Sequence, residues 1–120
     1  MSNGLEYQIN IIKKYSQGRR ILVWGCGEFG QRFVEEIMAY GIEVYAFIDT
    51  YKRGQVLLGK YDVCSPDILK SEKDKYYVCC ATNYYKSIEY HLNQCGYSCV
   101  VDYLLLLSTY TLSNIGGFFL

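Results

Sequence analysis

The chain has 120 residues, 51% of them hydrophobic, and its twelve basic and twelve acidic side chains cancel. That length suits one domain around a single core. The balanced charge argues against a nucleic-acid surface, because the densest basic cluster is the short run KKYSQGRR from Lys13 to Arg20. The sequence carries six cysteines, no CxxC pair and one histidine, His91, so no four-ligand metal site is expected. No apolar segment follows a charged start, which points to a cytoplasmic protein whose cysteines stay as thiols.

In chain order, Leu5, Ile9, Ile12 and Tyr15 share one helical face, and Gly18 ends the pattern. The first strand is RILVW, Arg20 to Trp24. Three glycines follow, Gly25, Gly27 and Gly30, and then Phe33, Val34, Ile37 and Met38 recur at helical spacing before Gly41. EVYAFID forms a second strand ending at Asp49. The polar stretch from Thr50 to Lys60 reads as a loop, YDVCSP as a short third strand, and Ser65 with Pro66 opens a brief helix. The fourth strand is YYVCCAT. A helix from about Asn83 presents Tyr85, Ile88, Leu92 and Cys95, and SCVVDY is the fifth strand.

Strands alternating with helices, several of them apolar on both faces, predict an α/β fold: one three-layer, Rossmann-like domain. Its sheet is expected to be parallel and five-stranded, in the order 3-2-1-4-5, with an extra N-terminal helix. The expected division is a helix over 1–18, a nucleotide-binding domain over 19–104 and an apolar tail over 105–120. The tail, within DYLLLLSTYTLSNIGGFFL, has too few continuous apolar residues for a membrane span. It is expected to pack on the domain or to join two copies as a homodimer.

The segment GCGEFG between strand and helix poses the functional question. Gly25 would allow the tight turn, Gly27 the approach of a phosphate, and Gly30 the packing of helix on strand. The first-turn amides and the helix dipole favour an anion there. Asp49, nineteen positions after Gly30, ends the second strand, where an acid accepts hydrogen bonds from ribose hydroxyls. The alternatives are a glycine turn that only packs tightly and a solvated acid. Cys26 sits inside the loop, where a helix N-terminus lowers a thiol pKa, or else it fills space. Lys52 and Arg53 reach a phosphate or stay solvated. Ala81, Thr82, Asn83 and Tyr84 end the fourth strand at the point where strand order reverses, as a second lip of the site where Thr82 and Asn83 hydrogen-bond a ligand and Tyr84 stacks on a base or sugar; in the alternative Thr82 or Asn83 only caps the next helix.

Catalytic groups are missing from the pattern. There is no Tyr-x-x-x-Lys pair among fourteen tyrosines, no Ser/His/Asp arrangement, and His91 falls mid-helix among polar neighbours, where a surface role is expected. Catalysis by this chain alone is not expected.

The run RRILVWGCGEFGQRFVEEIMAYGIEVYAFIDTYKRG, followed by YDVCSPDIL and YYVCCATNYYKSIEYHLNQCGY, resembles the small Rossmann-like N-terminal domains of bacterial surface-polysaccharide proteins. Those domains precede sugar acetyltransferases of the left-handed β-helix type, some methyltransferases and some nucleotide-sugar dehydratases. The resemblance spans about residues 19 to 104. In the acetyltransferase branch such a domain holds a nucleotide sugar. That implies ligand contacts at Gly25, Gly27, Glu28, Phe29, Asp49 and Thr50, with a UDP-sugar favoured over NAD and a partner enzyme of glycan synthesis. This sequence departs from that pattern by ending where the catalytic domain would begin. The competing reading is an interaction or dimerisation domain with an empty glycine turn.

Overall fold

The computed structural model describes residues 3–71 and 73–106. Residues 107–120 of the apolar tail lie outside the described residues, whereas Leu105 and Leu106 belong to the folded domain. In chain order the elements are α1 (Asn3–Tyr15), β1 (Arg20–Trp24), α2 (Glu28–Met38), β2 (Val44–Ile48), β3 (Val56–Leu57), β4 (Tyr61–Cys64), β5 (Tyr76–Cys80), α3 (Tyr85–Gln94) and β6 (Tyr103–Leu105). A 3-10 turn over Pro66–Lys70 follows β4, its Ser65 hydroxyl accepting the Asp67 amide at 3.2 Å. Among the described residues no helix is long and apolar enough to cross a membrane.

The strands form one six-stranded sheet in the order β3-β4-β2-β1-β5-β6. The expected five-stranded, all-parallel Rossmann-like sheet is therefore corrected to a mixed one. The cause lies in Thr50 to Lys60, read from sequence as loop. Gly54 and Gly59 take left-handed backbone there and let Val56 and Leu57 fold back antiparallel on β4. The fifth strand is corrected too. Residues 98 to 102 form a turn, and β6 starts only at Tyr103.

Arg19 explains that turn. Its Nη1 donates to Asp102 Oδ1 at 2.8 Å and to the Tyr76 carbonyl at 3.2 Å; Nη2 donates to the carbonyls of Tyr15 and Val101 at 2.7 and 2.6 Å. Asp102 Oδ2 accepts the Ser98 amide at 2.8 Å. With Asp102 turned inward, Val100 and Val101 face solvent despite their apolar character, and Val100 takes φ 72°.

Alternation along the strands builds a core on each face of the sheet. Ile21, Val23, Tyr77 and Cys79 pack with Ile9 and Ile12 of α1 and Phe33, Val34 and Ile37 of α2. Leu22, Trp24, Val78 and Cys80 pack with Ile88 and Leu92 of α3. β2 obeys this rule only through a bulge: Ile21 pairs with Val44 but Leu22 with Ala46. The additional residue, Tyr45, turns outward, and the Arg20 guanidinium lies 4.4 Å from its ring centre. Past the bulge, Phe47 faces α2 while Ala46 and Ile48 face α3.

Candidate functional site

β1 runs directly into the glycine turn and α2 leaves it, so the turn stands at the carboxyl end of the central strand. Its three glycines have different reasons. Gly25 has φ 124°, and a Cβ there would overlap the Ala81 carbonyl. A Cβ on Gly30 would overlap the Gly25 carbonyl, so this glycine sets how closely α2 packs on the turn. Gly27 differs from both. It begins α2 with φ −83° and ψ −164°, which any residue adopts, and a Cβ there would meet nothing within 4 Å. Among the described residues no side chain caps the start of α2.

Asp49 closes the neighbouring loop. Its Oδ1 accepts the amides of Tyr51 and Lys52, both at 2.8 Å, and the Cys26 thiol donates to Oδ2 at 3.3 Å. Burial pushes the Asp49 carboxyl upward, but those two amides, the thiol and the Lys52 charge outweigh it and hold the carboxyl below its ordinary value. Asp49 is an anion with part of Oδ2 free to accept another donor.

Cys26 behaves opposite to the helix-terminus expectation. Burial first, then the hydrogen bond and charge of Asp49, push its thiol up to about 11. A thiol in that state is protonated at neutral pH, and it serves as packing and as a donor to Asp49. In native protein at pH 8, Cys26 is expected to resist iodoacetamide while the exposed Cys99 is alkylated; peptide mass spectrometry gives the order. Alkylation of Cys26 as fast as Cys99 would refute the assignment.

A cleft of about 550 Å³ opens between the glycine turn, the loop after β2 and the first half of α3. It brings together four of the sequence-selected residues, Gly25, Asp49, Thr50 and Thr82, with Lys52 and Tyr84. Cys26 and Gly27 follow Gly25 in the turn but do not line the cleft, and the others lie elsewhere. Phe29 packs on the α1–α2 core, Ala81 is buried in it, and Gly30 is buried in the first turn of α2. Glu28 is exposed and pairs with Arg32 at 2.9 Å, which sets a negative charge in the first turn of α2. Asn83 faces an adjoining shallow groove with Tyr85 and Lys86, which shares Tyr84 and Ser87 with the cleft. Neither Thr82 nor Asn83 caps α3: its N-cap is Tyr84, whose amide donates to Thr82 Oγ1 at 3.2 Å.

Sequence reasoning missed Trp24, Tyr51 and His91 as lining residues. His91 is half-buried rather than solvated on the helix surface. Its ring stands edge-on to Trp24 at 5.4 Å, and its Nε2 is buried without a hydrogen-bond partner among the described residues. The signal was its position three residues after Ile88, on the face of α3 that packs on the sheet.

No curated protein matches the chain. A family model described as C2185-like, N-terminal, matches residues 17–100, from just before β1 into the turn preceding β6. That match covers more than half of the sequence, and the chain belongs to the C2185-like N-terminal domain family.

Proposed function

We propose that this domain is a nucleotide-binding module that holds a nucleotide or nucleotide sugar in the cleft, its phosphates reaching past Gly25 to the start of α2 at Gly27, without transforming it. The observation that carries the reading is Gly27. Packing requires Gly25 and Gly30, but nothing among the described residues uses the space beside Gly27. A glycine without an internal reason, at an uncapped helix start, suits a phosphate that approaches the backbone. Asp49, held ionised beside the cleft, suits ribose hydroxyls. The resemblance puts a UDP-sugar first and NAD second as ligands. Within this reading the module works in the cytoplasm, where its six free thiols persist, as a homodimer beside an enzyme of surface glycan synthesis that carries out the chemistry.

The test is a calorimetric and thermal-shift titration with UDP, UDP-N-acetylglucosamine and NAD. A ligand at a hundredfold excess over its Kd stabilises the fold by about 2.7 kcal/mol, a rise of several degrees. One of the three is expected to produce that rise, and Gly27→Ala to abolish it. Gly27→Ala should itself stay within about 0.5 kcal/mol of the native stability, since a poorer N-cap offsets a less flexible unfolded chain. Failure of all three ligands, or an equal rise in the variant, favours the interaction-domain reading. Sedimentation of the same samples reads the dimer, and a monomer at high concentration removes it.

A further inference from the structure

Two tyrosines line the cleft and contribute little to the fold: Tyr51 is 92% exposed and Tyr84 is 80% exposed. They come from different loops, one after β2 and one after β5, on either side of the central strand. Yet the backbone under each ring is fixed in the same way. The residue two positions earlier accepts the tyrosine amide, Asp49 Oδ1 for Tyr51 at 2.8 Å and Thr82 Oγ1 for Tyr84 at 3.2 Å. A solvent-facing ring on an anchored backbone loses little freedom when a flat partner stacks on it.

Resting on the nucleotide reading above, we propose that Tyr51 and Tyr84 form an aromatic clamp for the nucleobase. Stacking of this kind accepts any base, because every base offers a flat face. The polar groups of the cleft, Asp49, Lys52, Thr82 and Ser87, are then left for ribose and phosphates. The clamp therefore supplies affinity rather than choice of base, and UDP and ADP should bind within about tenfold of each other.

The chain's only tryptophan, Trp24, lines the same cleft, so its emission reports occupancy. The experiment titrates UDP, ADP, UDP-N-acetylglucosamine and NAD into the wild type, Tyr51→Ala, Tyr84→Ala and the two phenylalanine variants. Each alanine variant is expected to weaken UDP and ADP by about five- to a hundredfold while its ligand-free melting midpoint is unchanged, and each phenylalanine variant to bind normally. Wild-type affinity in both alanine variants would overturn the clamp and leave the nucleotide reading standing. Loss confined to UDP-N-acetylglucosamine would assign the rings to the sugar and overturn the base clamp. A preference well beyond tenfold between UDP and ADP would also overturn it, since stacking alone does not discriminate so far. If the wild type binds none of the four, the nucleotide reading and the clamp fall together.

Discussion

Gly30→Ala is expected to lower the stability of the domain by at least about 3 kcal/mol, a fall of more than about 12 °C in the melting midpoint. The added methyl would overlap the carbonyl of Gly25, a backbone atom that cannot rotate aside as a side-chain end would. The remaining response is for α2 to lift from the turn, which exposes Phe33, Val34 and Ile37. Burying each such side chain contributes about 1.5–3 kcal/mol, so even a partial lift is costly. Gly25→Ala combines the overlap with Ala81 and an unfavourable φ, and belongs in the same class. Gly27→Ala is the internal control. Chemical denaturation of the three variants should separate two severe losses from one near-neutral change, and a Gly30→Ala protein as stable as the wild type would remove the packing account.

The second large effect lies at the other end of the sheet. Arg19→Ala or Asp102→Ala should each cost about 3–5 kcal/mol, because either change leaves a partly buried charge without its partner. Asp102 is only 7% exposed, and Arg19 reaches four acceptors from α1, β5 and the turn before β6. Arg19→Lys is not expected to rescue, since a single ammonium cannot span the fork of the guanidinium. The double change Arg19→Met with Asp102→Leu should recover part of the loss by removing both charges. Urea denaturation of Arg19→Ala, Asp102→Ala and the matching double alanine variant gives the coupling; additive losses would show that the ion pair contributes nothing of its own.

These long-range bonds also explain what the sequence did and did not reveal. α2 was legible by its helical period, and β1, β2 and β5 as short runs of apolar residues bounded by glycine or polar residues. The glycine turn and Asp49 were legible because they sit at the ends of those elements. β3 was not, since two residues between glycines have no period to detect. The turn over 98 to 102 was misread because three apolar residues look like strand, and the group that overrules them, Arg19, is 83 residues from Asp102. Within the site, residues at strand ends could be named, but Tyr51 and His91 depend on how a loop and a helix settle over Trp24. Local pattern carries no record of that.

The two-residue β3 has a consequence for the molecule in a crowded solution. A sheet edge is a row of unpaired amides and carbonyls that invites another chain to add as a strand. At one edge this domain presents only Val56 and Leu57, followed at once by Leu58 in left-handed backbone, so an incoming strand finds too little straight edge to extend. The opposite edge is β6, Tyr103–Leu105, and past Leu106 the chain lies outside the described residues.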